Sequence, residues 1–190
     1  MLIARIGDDA ELRLLEERHA DSLFALIDGS RDHLRRWLPW VDGNQSAGDA
    51  RAFIQGALRQ FAANDGYQAG IWAGGELAGV VGHHKIDWGS RATSLGYWLG
   101  AGFQGRGLMT GAVRAMVDRA FAELRLNRVE IHCAVENRAS RGIPARLGFR
   151  EEGRLRQAEW LYDHFVDHVV YAVLAAEWPG TAAAVPDARS

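Results

Sequence analysis

The stretch that most limits how this chain can fold runs from Leu95 to Gly111, Leu-Gly-Tyr-Trp-Leu-Gly-Ala-Gly-Phe-Gln-Gly-Arg-Gly-Leu-Met-Thr-Gly. Its first part, Leu95 to Leu99, is apolar and aromatic and reads as a buried strand. From Leu108 onward, Met109, Val113, Met116, Val117, Ala120, Phe121 and Leu124 recur at helical spacing. Between them, Gly100 to Gly107 holds four glycines and Arg106. Glycine admits positive φ and close approach of a ligand. The free N–H groups and dipole of a helix start favour a phosphate, and an arginine adds a mobile cation. The strand, glycine turn and helix therefore predict an anion-binding turn, with a glycine-rich connector that binds nothing as the plain alternative.

The turn fits known phosphate loops unequally. No Gly-Lys-Ser or Gly-Lys-Thr occurs anywhere, which excludes a P-loop. Gly100, Gly102 and Gly105 match the dinucleotide pattern G-x-G-x-x-G, but the match lies past the middle of the chain. Glu130, the nearest acidic candidate, falls inside the next strand instead of at its tip. Gln104 and Gly107 match Q-x-x-G-x-[GA], which resembles the pyrophosphate turn of the GNAT superfamily of N-acetyltransferases. Met109 stands where that family has Gly or Ala.

The rest of the chain predicts one domain over residues 1–178. Glu11 to Glu16 alternates as a first strand, and His19 to Ile27 is a helix. Arg31 to Trp40 is a basic, aromatic segment, either a core helix or a wall of an acceptor pocket. Ser46 or Asp49 caps a helix over Ala50 to Ala63. Strands follow at Tyr67–Ala73 and Glu76–Ile86 around a Gly74-Gly75 hairpin, then at Thr93–Leu99. After the helix from Gly105 to Leu124, Asn127 to Val135 is a β-branched strand, which implies a parallel crossover. A short helix from Glu136 ends at Gly148, and strands at Arg150–Arg156 and Phe165–Leu174 complete seven. The segment 179–190 carries no core pattern and is expected to be flexible.

Composition excludes several classes. A net charge of −2 leaves no basic footprint for nucleic acid. A single cysteine, Cys133, allows no internal disulfide and no Cys-x-x-Cys site, and its apolar strand implies a buried thiol. No apolar run approaches a membrane span, and the N-terminus does not read as a secretory signal, so a cytoplasmic protein is expected. Adjacent His83 and His84 point to opposite faces of a strand and make a poor metal pair. His164 and His168 share a face, but no metal is expected there.

Gly96-Tyr-Trp-Leu99, Gln104-Gly-Arg-Gly-Leu108 and the run from Glu136 to Gly153 occur in that order. With Leu34-Arg-Arg-Trp-Leu-Pro-Trp40, they resemble the RimJ/RimL branch of the GNAT superfamily, the ribosomal-protein N-acetyltransferase type. The resemblance spans roughly residues 10 to 175. It implies an α+β fold with a mostly antiparallel, twisted seven-stranded sheet, splayed between its fourth and fifth strands and flanked by helices on both faces. It implies acetyl-CoA as co-substrate and no metal. The pantetheine arm would pair with Tyr97, Trp98, Leu99 and Gly100. The pyrophosphate would rest on Gln104, Gly105, Arg106, Gly107, Leu108, Met109 and Thr110, with Asn137 and Ser140 near the sulfur. Asn137 also suits a helix cap. Family habit and exposed aromatic segments suggest a homodimer.

In such enzymes a neutral amine attacks the thioester directly. Backbone N–H groups at Trp98–Leu99 would meet the oxyanion, and Ser140 the leaving thiolate. Many relatives carry a Glu base in the strand before the turn, where this chain has Ser94. His83, His84, Glu130, His132 or a water chain remain as alternatives. The leading reading is an acetyltransferase acting on a protein N-terminus. Alternatives are a small-molecule amine acceptor (polyamine, aminoglycoside or amino acid), an acyl-CoA-binding module without catalysis, and a nicotinamide-dependent oxidoreductase through the G-x-G-x-x-G match.

Overall fold

The structure, a computed structural model, describes residues 1–179. The segment expected to be a flexible tail lies outside the described residues from position 180 onward. The described chain forms β1 (Leu2–Arg5), β2 (Ala10–Leu14), α1 (Ala20–Asp28), α2 (Arg31–Leu34), α3 (Ala47–Ala62), β3 (Gln68–Ala73), β4 (Glu76–Asp87) and β5 (Ala92–Leu99). It continues with α4 (Leu108–Ala122), β6 (Arg128–Ala134), α5 (Arg138–Arg146), β7 (Arg150–Leu161) and β8 (His164–Leu174). The strands make one eight-stranded sheet in the order β1-β2-β3-β4-β5-β6-β8-β7. The expected count of seven is corrected by β1, a four-residue strand that pairs only with β2 at the sheet's edge.

Strand alternation sorts the apolar side chains into two cores. Ala69, Ile71, Val81, Leu95, Val129, Ile131 and Cys133 face α4 and α5. Trp72, Leu77 and Val80 face α1 and α3 on the other side. Helices therefore cover both faces. The α3 start is set by Ser46, whose Oγ accepts the Asp49 N–H at 3.2 Å. Asp49 is the third helical residue, and its carboxylate accepts the Gln45 N–H and the Ser46 hydroxyl. The β3–β4 hairpin turns on Gly74 and Gly75, both at positive φ, as a two-residue loop requires.

All sheet pairs are antiparallel except β5 with β6. That parallel pairing runs from Ala92↔Arg128 to Leu95↔Ile131 and stops. From Gly96 onward β5 stays paired with β4 and β6 with β8. The sheet thus splits down its middle at Gly96. The helix after the glycine turn begins at Leu108, not at Gly105, because Gly105 and Gly107 sit at φ 73° and 75°, outside helical geometry.

Candidate active site

The split opens a cleft of about 550 Å³ between β5, the start of α4, α2 and α5. Its floor follows from strand geometry. The Gly100 N–H donates to the Ala78 carbonyl on β4 at 2.9 Å. Backbone polar groups alternate sides along a strand. Those of Trp98 therefore also point to β4, and those of Tyr97 and Leu99 point into the gap where β6 has departed. Of the two amides expected to meet an oxyanion, only that of Leu99 faces the cleft.

The glycine turn forms one end. A Cβ built on Gly105 or Gly107 would meet nothing within 4 Å, so positive φ, not crowding, demands glycine there. The first helical hydrogen bond runs from Gly111 N–H to the Gly107 carbonyl. The amides of Leu108, Met109 and Thr110 have no helical partner and point out of the helix start. Such an arrangement fits a pyrophosphate. Gln104, Gly105, Gly107, Leu108, Met109 and Thr110 all line the cleft.

Two expected contacts stand apart from it. Gly100 faces the α1 side, where a Cβ would lie 2.4 Å from Leu26 Cδ1. The Arg106 side chain reaches back toward Asp9, 3.8 Å away, and over the Phe103 ring. Two residues that the motifs did not single out line the cleft instead. His33 on α2 touches the Gln104 side-chain amide, and burial, with Arg36 nearby, lowers its pKa. Arg146, at the end of α5, donates to Thr110 Oγ1 at 3.2 Å. The aromatic segment contributes both to the core and to the wall of this cleft. Leu34 is 2% exposed in the core, while Leu34, Trp37 and Leu38 also wall the cleft.

At the other end, Asn137 caps α5, its Oδ1 accepting the Ser140 N–H at 3.1 Å. Pro144 sits inside α5 and has no N–H for the Ser140 carbonyl four residues back. The Tyr97 hydroxyl donates to that carbonyl instead, at 3.1 Å. The Ser140 hydroxyl in turn donates to Tyr97 Oη at 3.3 Å and lies 3.1 Å from Cys133 Sγ. Burial raises the Tyr97 pKa well above its ordinary value and raises that of Cys133, so both stay neutral near pH 7. A strand residue and a helix residue are thus locked together beside the gap.

The candidate bases separate by face. None of the four lines the cleft itself. His83 is fully buried on the α4 side, against the Tyr67 ring and 3.3 Å from Thr93 Oγ1. Burial pushes its pKa down to about 4. His84, Glu130 and His132 lie on the opposite face, around Ser94. Glu130 is held by Arg128 at 2.7 Å and by His132 at 2.9 Å. Burial opposes its ionisation, but those hydrogen bonds outweigh burial and lower its pKa. Among the described residues no group of three or more His, Cys, Asp or Glu is arranged to hold a metal, and no helix is long and apolar enough to cross a membrane.

Residues 10–150 match the model of the acetyltransferase (GNAT) domain. The chain belongs to the GNAT acetyltransferase family. As a member it is an acyltransferase enzyme. It is 36% identical over 181 residues to YdaF of Bacillus subtilis (strain 168), provisionally named a ribosomal N-acetyltransferase, covering 95% of this chain and 99% of that one. It is 31% identical to the ribosomal-protein-serine acetyltransferase of Escherichia coli (strain K12), covering 88% and 94%. Among solved structures, the RimL ribosomal L7/L12 alpha-N-protein acetyltransferase in complex with coenzyme A superposes with a TM-score of 0.88. It is 29% identical, with 92% of this chain and 98% of that chain covered. This GNAT chain shares the mixed fold of that enzyme, with the eight strands described above.

Proposed function

We propose that this chain is an acetyl-CoA-dependent N-acetyltransferase whose acceptor is the α-amine of a protein N-terminus, of the ribosomal-protein type. One observation carries the reading. The strand edge at Tyr97 and Leu99 is left unpaired beside a helix start whose amides are free, which is the pairing edge and anion seat that an acyl-CoA needs. The named activities of the relatives support the choice of acceptor.

In this reading Tyr97 and Leu99 pair with the pantetheine arm, while Gln104, Gly105, Gly107, Leu108, Met109 and Thr110 hold the pyrophosphate. The Leu99 N–H meets the thioester oxygen as it gains charge. Ser140 donates to the departing thiolate. Asn137 holds the first turn of α5, and with it Ser140, in place. Gly100 and Arg106 support the turn from outside the cofactor channel, while Trp98 lines the channel with its backbone turned to β4. The alternative, a small-molecule acceptor, draws on a second likeness. A microcin C7 self-immunity acetyltransferase, in complex with acetyl-CoA and AMP, superposes with a TM-score of 0.84 at 27% identity.

The reading extends to a cytoplasmic homodimer. Leu155, Trp160 and Phe165 are about half exposed on the β7–β8 hairpin, and β7 offers a free sheet edge. Burial of this patch in a second copy would remove both liabilities.

The test begins with thermal unfolding. Acetyl-CoA at ~100 times its Kd adds about 2.7 kcal/mol, while NAD adds none. Mass spectrometry then follows acetylation of peptides with free N-termini, with spermine and an aminoglycoside alongside. No thermal shift at millimolar acetyl-CoA defeats the cofactor assignment. Acetylation of the small amines alone defeats the protein-terminus assignment.

A further inference from the structure

The face of the sheet opposite Ser140 holds a group of polar side chains that the steps above leave unused. Ser94 and Gly96 on β5 point to this face, as does Trp98. Glu130 pairs in register with Ser94, and Glu130 and His132 share its face. His168 on β8 and Glu159 on β7 adjoin them, 3.4 Å apart. Nearer the α1–α3 core, His84 on β4 leans across. Its Nδ1 lies 3.1 Å from Ser94 Oγ, and a Cβ on Gly96 would sit 2.4 Å from its Nε2. The imidazole thus occupies the space that any larger residue at Gly96 would fill. Gly96 is also the first β5 residue beyond the parallel pairing, the point where the split opens.

Resting on the acetyltransferase reading, we infer that His84 is the catalytic residue that takes the proton from the acceptor amine. Ser140 and Tyr97 flank the gap from one face, and His84 flanks its origin from the other. An amine arriving over Gly96 meets a thioester lying in the gap with the base on one side and the donor to sulfur on the other. The tautomer required has Nδ1–H donating to Ser94 Oγ, which leaves the Nε2 lone pair free. Among the described residues no hydrogen bond occupies Nε2. His132, by contrast, has its Nε2 bound to Glu130, which Arg128 also holds.

Charge at this position is set by several neighbours. Burial lowers the His84 pKa, and the nearby His132 lowers it further, while Glu159 opposes them. The ring is therefore neutral near pH 7, as a base must be. The step balances as follows. The ammonium gives one proton to His84 Nε2. The neutral nitrogen then bonds to the thioester carbon. The C–S bond breaks with its electron pair going to sulfur, and the second nitrogen proton reaches sulfur by way of the Ser140 hydroxyl. His84 returns its proton to water, so one proton is released per turnover. The small Ser94 leaves room for this ring and orients it.

The experiment measures kcat/KM between pH 5 and 8 with acetyl-CoA and two peptides bearing free N-terminal serine, one with a less basic amine. The wild type should show an acid limb that stays fixed when the amine changes, because the ammonium is itself the form that gives His84 its proton. His84→Gln should lose the fixed limb and roughly 10²–10⁴-fold in kcat/KM, with acetyl-CoA still raising the melting temperature as in the wild type. His84→Ala should regain rate on addition of imidazole, in proportion to its unprotonated fraction. Gly96→Ala, which displaces the ring without removing it, should lower kcat/KM in the same way. A His84→Gln enzyme that keeps the fixed limb and its rate overturns the inference. So does loss of that limb in Glu159→Gln with His84→Gln unaffected. Wild-type protein that binds acetyl-CoA but releases no CoA with any amine overturns the acetyltransferase reading and this inference with it.

Discussion

Tyr97→Phe tests the lock between β5 and α5. In the wild type one phenol hydroxyl serves two groups. It donates to the Ser140 carbonyl at 3.1 Å, which Pro144 leaves without its helical donor, and it accepts from the Ser140 hydroxyl at 3.3 Å. Phenylalanine keeps the ring and its packing but leaves that carbonyl without a donor in a half-buried setting. Leaving a buried acceptor unsatisfied costs about 1–3 kcal/mol. The serine hydroxyl keeps Cys133 as a neighbour, so its loss adds little, and about 2 kcal/mol is expected. For a chain of this length that corresponds to a fall in Tm of roughly 4–8 °C. The decisive variant is the double mutant with Pro144→Ala. Alanine restores an N–H in register with the Ser140 carbonyl, so the double mutant should recover most of the loss. Urea unfolding of the four proteins gives the coupling energy directly. Additive effects, with no rescue by Pro144→Ala, would refute the account of the tyrosine as a substitute helical donor.

Ser140→Ala should lower kcat about ten- to a hundredfold, the loss of a hydrogen bond to a charged group. The acetyl-CoA Kd should barely change, as steady-state kinetics beside calorimetric titration will show. Unchanged kcat would reduce Ser140 to a local helix residue. Gly107→Val should abolish the acetyl-CoA thermal shift, because a β-branched residue resists a φ of 75°; a retained shift refutes the pyrophosphate seat. Stability should fall as pH drops from about 6.5 to about 4, because buried His83 titrates near 4 in the folded chain and near 6.5 unfolded. The unfolded chain binds the extra proton in that window, for about 3 kcal/mol in all. His83→Phe should flatten this part of a urea-unfolding pH series, and an unchanged slope counts against the assignment.

The legible parts of the fold were those with strong periodicity. The α3 and α4 stripes, the Gly74-Gly75 hairpin and the β-branched β6 could be read because each face packs on a core. β1 could not: four residues, half exposed and paired on one side only, carry no alternation. The residue pattern of β7 stops at 156, short of the strand's end at Leu161, because Gln157 takes positive φ and the register slips between Leu155 and Glu159. Its turn into β8 uses Tyr162 at φ 59°, where glycine or asparagine would have signalled a hairpin. Within the site, the glycine turn was evident from residue types. His33 and Arg146 were not, since their places depend on α2 and α5 converging on the turn from distant parts of the chain. The split itself leaves no composition signal, being a matter of which way β6 diverges.

A sheet with an open edge invites other chains to add a strand. Here an unpaired edge lies in the interior, at Tyr97 and Leu99, and the walls of α2, α4 and α5 stand over it. A polypeptide strand carries side chains on both faces, and these would meet Leu34, Trp37 and Ile143 on the walls. A slender, unbranched arm with amide groups at strand-like spacing can enter. The same helices that shape the pocket therefore act as a filter against self-association, and an edge that would be a hazard at the rim is reserved for a guest without side chains.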